Sequence, residues 1–300
     1  MIFSKIRSIL AVLIMYIAAF IGCFVLYPYI DIPGDPGQAI LIKVLLLDVL
    51  ATVFIFIMSC IFKNASIYDP YWSVAPIAMS ISFLYLTNNF NTWSIILVIL
   101  ICVWGIRLTI NWASRFNNLR HQDWRYIHFK NKFPKLYPLL NFFGIHLMPT
   151  IVVAVAMIPA FSFIGDVNKA GYEPSFMTII GYLIIVTAIL IEMIADLQMT
   201  MFKRIPSNTG LVMTQGLWKN SRHPNYFGEI LFWFGVFLVH FSVRNANPLL
   251  VFCPLVVFVL FQFVSIPMMD KRQLNSKPAF KEYMESTNPL LPIFPPKKEK

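Results

Sequence analysis

The stretch Ser8–Ile30, SILAVLIMYIAAFIGCFVLYPYI, carries no charged residue along its whole length and follows directly on Lys5 and Arg7. A bilayer core about 30 Å thick is crossed by roughly 20 apolar residues in a helix, so this segment predicts a membrane span. A secretory leader would start the same way, but no small-x-small cleavage site follows. Phe20-Ile21-Gly22-Cys23 has the spacing of a lipoprotein cleavage site, with Phe20 ill-suited to its first position. The segment is therefore expected to stay as an uncleaved first helix.

Seven further apolar stretches follow, and the spans are expected at 8–30, 38–62, 71–87, 93–112, 138–164, 175–200, 226–243 and 248–269, the third and seventh being the shortest. Turn residues punctuate them: Pro33-Gly34-Asp35-Pro36-Gly37, Thr87-Asn88-Asn89 and Asn245-Ala246-Asn247-Pro248. The 300 residues are 58% hydrophobic and only 13% charged, whereas an ordinary soluble domain carries about 25% charged residues. A soluble fold could not cover that apolar surface. The expectation is an all-α, polytopic helix bundle forming a single membrane domain over residues 1–300, in contact with membrane lipids. Cys23, Cys60, Cys102 and Cys253 lie inside apolar runs without CxxC spacing and read as small buried hydrophobes.

Lys and Arg near span ends resist translocation. Of the 24 Lys and Arg, only Lys43, Lys169 and Arg244 fall on or near loops of the far side. Both termini are then expected in the cytoplasm, as an even number of spans requires, with the chain a multi-pass membrane protein. A formal charge of +10 could point to nucleic acid, but positive-inside bias accounts for it and no soluble domain remains to hold a duplex. The basic tail at 291–300 reads as a solvated end near anionic lipid heads.

Four groups on the cytoplasmic side are not explained by topology. The first runs from Gly216 to Glu229, GLWKNSRHPNYFGE, into the seventh span. Arg222 and His223 can contact phosphate, Pro224 stiffens the start of the helix, and Glu229 is a carboxylate at the hydrocarbon boundary, where such groups are paired or functional. In the second, Arg107, Asn111 and Arg115 share one helix face by their four-residue spacing. It continues through Asn117, Asn118, Arg120, His121, Asp123, Trp124 and Arg125, and suits a clamp for a phosphorylated cofactor as well as simple enforcement of topology.

The third group is Glu192 and Asp196, four residues apart, followed by Gln198. They could bind a ribose or amide, or only brace Arg side chains. The fourth is NASIYDPYW, Asn64 to Trp72. Asp69 could be a helix N-cap with Pro70 at the first helical position, and Tyr68, Tyr71 and Trp72 could belong to an interfacial aromatic belt. These aromatic groups are more than a cap requires, and the belt is the competing explanation. The five histidines, His121, His128, His146, His223 and His240, show no metal-ligand spacing, and no GxGxxG, P-loop or GxSxG occurs.

The Gly216–Glu229 stretch resembles the signature of the bacterial DUF1295 family, which is similar to the C-terminal domain of steroid 5-alpha-reductases and, more distantly, to sterol reductases. The resemblance extends over 64–290, through Asp69 and Trp72, Arg107 to Arg125, Glu192 to Gln198 and the pattern around Tyr283. It implies a membrane reductase that takes NADPH from the cytoplasm and reduces a double bond conjugated to a carbonyl in a steroid-like or other lipid substrate. By the same resemblance Arg222, His223, Asn225, Tyr226 and Glu229 would hold the cofactor, with Asn111, Arg115, Asp123, Trp124, Arg125, Glu192 and Asp196 as further candidates. In the steroid enzymes a Glu and Tyr pair polarises the ketone; Asp69 with Tyr68 or Tyr71 is the nearest arrangement in sequence. The Arg-His-Pro-x-Tyr-x-Gly-Glu core also resembles that of isoprenylcysteine and phospholipid methyltransferases, which use S-adenosylmethionine. The Arg-rich loop after the fourth span suits the more heavily phosphorylated cofactor. A lipid-binding or transport protein without chemistry is a third reading, against which stand the lack of an internal repeat and the one-sided polar groups.

Overall fold

A computed structural model describes residues 2–167, 172–244 and 246–291. Lys169, Asn245 and most of the basic tail, all singled out in the sequence, lie outside the described residues. Among those described, the regular structure is helical, apart from one isolated bridge between Ser221 and Asn288. The helices are α1 (Ile2–Leu26), α2 (Pro36–Ile61), α3 (Tyr71–Leu86), α4 (Thr92–Arg115), α5 (Trp124–Lys132), α6 (Tyr137–Asp166), α7 (Phe176–Arg204), α8 (Pro224–Phe241), α9 (Pro248–Ser276) and α10 (Phe280–Ser286). All eight expected spans are occupied by a helix. Six of them, α1, α2, α4, α6, α7 and α9, are long and apolar enough to cross a bilayer. The other two, α3 and α8, are the two that the sequence makes shortest.

The helix starts follow local chemistry. Asp35 caps α2, its carboxylate accepting from the amides of Gly37 and Gln38 at 3.0 and 3.1 Å, with Pro36 at the first turn. Asn91 caps α4 in the same way through the Trp93 amide, and Ser175 and Thr178 form a reciprocal capping box on α7. Large apolar side chains point outward along the spans, among them Ile14, Phe24, Ile110 and Leu183. In water such surfaces would associate; against acyl chains they are at no disadvantage. The protein is an integral membrane protein in contact with lipid. Of the four cysteines only Cys253 is buried; the others sit on helix faces, so the expectation of buried thiols holds at one position in four.

The chain groups into two compact units, residues 1–172 and 173–300. The first unit packs α3 closely against α4, where a Cβ at Gly105 would lie 2.4 Å from the Ser73 carbonyl oxygen. Its interior is filled by Ile55, Leu97, Ile101, Trp104, Met157 and Phe161. α6 is not regular: Leu140–Leu147 forms π-helical turns inside it. The second unit is built on α7 and α8, which touch backbone to backbone at three glycines. A Cβ on Gly181 would meet the Val239 amide nitrogen at 2.8 Å, one on Gly228 the Glu192 Cγ at 2.4 Å, and one on Gly235 the Ile185 Cγ1 at 2.7 Å. Without a hydrophobic drive between helices in lipid, this close approach is what holds such a pair.

Candidate functional site

In the second unit the stretch expected to bind a cofactor is held by a carboxylate from α9. Asp270 accepts from Arg222 Nη2 at 3.0 Å through one oxygen and is 2.8 Å from His223 Nε2 through the other, and all three groups are nearly buried. Arg222 also donates to the backbone carbonyls of Met284 and Thr287. The backbone amides of Arg222 and His223 reach the carbonyls of Asn288 and Pro289 at 2.8 and 3.1 Å. Tyr283 closes the arrangement by donating to the carbonyls of Trp218 and Ser221, and its burial raises its pKa. The Arg-His pair thus fixes the segment after α10 onto the start of α8. Its guanidinium is spent largely on internal partners.

What faces onward from this lock is the first turn of α8. Tyr226 stacks on the His223 ring with centroids 5.0 Å apart and planes 9° apart, and Phe261 of α9 covers it at 4.7 Å. Asn225 donates to Asp196 at 3.4 Å, and its own Oδ1 is buried with no hydrogen-bond partner. Glu229 is buried and accepts from Trp233 Nε1 at 2.8 Å. Glu192, also buried, lies against Gly228. The expected residues Glu192, Asp196, Asn225, Tyr226 and Glu229 therefore gather along the α7–α8 seam. Gly216, at φ +59°, lets the 216–219 turn dock on α7, with Gln198 accepting from the Leu217 amide and Trp218 donating to the Ala195 carbonyl. An open cleft of about 820 Å³ lies beside this turn, lined by Leu211, Thr214, Lys219, Glu282, Tyr283 and Thr287. One cation balanced by one carboxylate does not make it a pyrophosphate site.

The first unit contains a separate buried polar cluster. Asp69 does not cap α3: Pro70 occupies the cap position without a side-chain bond, and Tyr71 starts the helix. Instead the Asp69 carboxylate accepts from the Tyr126 hydroxyl and from Arg125 Nη2 at 3.4 Å. Arg125 also binds Asp123, the cap of α5, at 2.8 Å. Burial pushes the Asp69 carboxyl up to about 6 against the downward pull of Arg125 and Tyr126. Burial, and then the neighbouring carboxylate of Asp69, raise the Tyr126 phenol. Arg125 and Asp123 thus belong to a brace around Asp69, while Trp124 opens α5 and Arg115 bonds the carbonyl of Asn111 on its own helix. The expected clamp over Arg107, Asn111, Arg115 and Arg125 is not drawn onto one point by these contacts.

Tyr68 and Tyr71 are not belt residues, each being about 2% exposed or less. The Tyr71 hydroxyl donates to the Asp48 carboxylate of α2 at 2.8 Å. The Tyr68 hydroxyl bonds Thr150 at 2.7 Å, and Thr150 bonds Thr52 at 2.9 Å. The tyrosine–carboxylate pair that the sequence places between Asp69 and Tyr68 or Tyr71 is thus divided, with Tyr126 on Asp69 and Tyr71 on Asp48. Asp48 and Asp270 were missed in the sequence. Asp48 is a carboxylate inside an apolar run, where an ionisable group marks a function or a buried partner, whereas Asp270 ends such a run just before Lys271 and Arg272. Among the described residues no group of three or more His, Cys, Asp or Glu is placed to hold a metal.

Residues 55–287 match the sequence profile of a family described as a protein of unknown function, DUF1295. The chain belongs to the DUF1295 family. This DUF1295 protein is also 25% identical, over 258 residues, to an uncharacterized protein of the fission yeast Schizosaccharomyces pombe, a match covering 77% of the present chain and 73% of the yeast protein. No solved structure matches. The family match takes in Asp69, Tyr71, the α7–α8 seam and Asp270, but begins after Asp48.

Proposed function

We propose that this DUF1295 protein is a membrane-embedded, NADPH-dependent reductase of a carbon–carbon double bond conjugated to a carbonyl in a lipid substrate. The observation that carries this reading is the buried pair of Tyr71 and Asp48, 2.8 Å apart. With Asp48 in its acid form, the carboxyl can donate to the Tyr71 oxygen, and the phenolic hydrogen is then released to a substrate carbonyl. A donor at that oxygen draws charge from the beta carbon and stabilises the enolate that follows. The surrounding aromatic side chains exclude water, which strengthens that bond.

Cofactor residues are assigned in the second unit. Asn225 offers a buried acceptor without a partner, which fits a ribose hydroxyl or a carboxamide N–H of a nicotinamide nucleotide, and Tyr226 offers an aromatic face. Arg222, His223 and Asp270 keep the start of α8 in place for them. NADPH, when bound, supplies the hydride. Charge bias supports a cytoplasmic position for both termini and the cofactor residues, and the resemblance of the Gly216–Glu229 stretch to a bacterial family supports a bacterial inner membrane.

The test is binding and turnover by the purified full-length protein in lipid nanodiscs. NADPH should bind more tightly than S-adenosylmethionine, and NADPH oxidation should depend on a conjugated ketone. Tighter binding of S-adenosylmethionine would assign the protein to the methyltransferases instead, and binding of neither would favour a lipid-binding or transport role.

A further inference from the structure

His146 takes no part in the chemistry just described, yet it is fully buried inside the first unit. It lies in the π-helical turns Leu140–Leu147, and such turns are rare and frequently sit at functional sites. Its Nδ1 is 2.8 Å from the carbonyl oxygen of Asn141, five residues back. A carbonyl can only accept, so Nδ1 carries the proton and Nε2 of the neutral ring is a lone-pair acceptor. That Nε2 is buried and has no hydrogen-bond partner. Leaving such an atom unpaired is costly, so a native fold that retains one calls for an explanation.

The surroundings restrict what could pair with it. The imidazole packs against Tyr68 with ring centroids 4.8 Å apart and against Phe56 at 5.4 Å. Tyr68 in turn packs on Tyr71 at 5.4 Å, so aromatic faces run without interruption from His146 to the Tyr71–Asp48 pair. An ammonium would bring a charge and three donors to walls that offer one neutral acceptor. A hydroxyl brings one donor on an otherwise apolar body.

We infer that His146 Nε2 is a specificity site that accepts a hydrogen bond from a hydroxyl group of the lipid substrate, remote from the carbonyl addressed by Tyr71. The carbonyl end rests on the enone-reductase reading; the hydroxyl end rests on His146 alone. The substrate class is then a hydroxylated conjugated ketone of lipid character, set apart from its deoxygenated counterpart by this one bond.

Equilibrium binding of testosterone and 17-deoxytestosterone, without NADPH, to the full-length protein in nanodiscs tests the inference. Wild type is expected to bind the hydroxylated probe about 10-fold more tightly. His146→Phe should weaken the hydroxylated probe to the level of the other and leave the deoxy compound unchanged, and His146→Gln, which keeps an acceptor, should restore part of the preference. A preference that survives in His146→Phe, no preference in wild type, or no binding of either probe overturns the inference. If His146→Phe does not fold, the nitrogen-15 resonance of His146 Nε2 in wild type reads the same bond: it should move with testosterone and not with the deoxy compound, and equal responses overturn the idea. A hydroxyl preference lost in His146→Phe, in a protein that never oxidises NADPH, would sink the reductase reading and leave this site standing.

Discussion

The Tyr71 hydroxyl and the Asp48 carboxylate, 2.8 Å apart, join the first turn of α3 to the middle of α2 in the interior of the first unit. The bond serves packing and chemistry differently. For packing, it satisfies a buried phenol and half of a buried carboxyl. For chemistry, it gives a hydrogen-bond donor whose strength depends on the proton content of Asp48. The two roles separate on substitution, because phenylalanine keeps the ring contacts with Tyr16 and Tyr68 and removes only the hydroxyl.

Tyr71→Phe should therefore lower kcat/KM for NADPH-dependent reduction by about 100- to 10,000-fold, the usual contribution of a positioned acid. NADPH affinity should not change, since Tyr71 is not among the residues assigned to the cofactor. Stopped-flow NADPH oxidation and equilibrium titration separate the two. A Tyr71→Phe protein with near wild-type turnover would remove the pair from the mechanism.

Among the described residues, Asp270 is the carboxylate that pairs with both Arg222 and His223. Asp270→Asn is expected to destabilise the second unit by about 3–5 kcal/mol, because it leaves the Arg222 guanidinium buried without its counter-charge. Thermal unfolding in nanodiscs should show a lower transition, and limited proteolysis should reach the segment after α10 first, since Arg222 and His223 hold its backbone carbonyls. A variant as stable as wild type would mean that these contacts contribute little.

The α7–α8 seam makes a sharper packing prediction. At Gly181 an added methyl would meet a backbone nitrogen and the Val239 side chain within 2.8 Å, and backbone cannot yield as the end of a side chain can. Gly181→Ala should cost about 1–3 kcal/mol by forced separation of the helices. Gly144→Ala, which has nothing within 4 Å of the new Cβ, is the control and should be close to neutral in the same unfolding assay.

How much of this was legible in sequence differs from element to element. Helices were legible because a bilayer imposes length and composition on each span, and every one of the eight apolar runs carries a helix. The Gly216–Glu229 stretch was legible as a unit because its residues act as neighbours. Its carboxylate was not: Asp270 lies 47 residues beyond His223, and no local period ties the two. Asp48 did carry a signal, a lone acid within Leu45–Leu50, yet Asp69 drew attention because it stands among aromatic residues. The π-helical turns around His146 have no residue pattern by which to be foreseen, as hydrophobic periodicity cannot distinguish five-residue from four-residue bonding over eight residues.

Asp69 provides a prediction with a sign. Its carboxyl has a pKa of about 6 in the folded protein, raised by burial above the value of about 3.9 expected for an exposed Asp. Between those two values the folded state binds more protons than the unfolded one, so stability must fall as pH rises through that window. Below about pH 4 both states are protonated and the favourable contribution is complete; above about pH 6 both are ionised and it is lost. Asp69→Asn cannot titrate. Relative to that variant, wild type should gain thermal stability as pH is lowered from 7 to 4, with most of the change near pH 5 and little below pH 4. Unfolding temperatures of the two proteins, measured across that range in the same nanodiscs, give the difference directly. The opposite slope would mean that Arg125 and the Tyr126 hydroxyl outweigh burial and hold Asp69 as a low-pKa carboxylate, which would make it a purely structural ion pair.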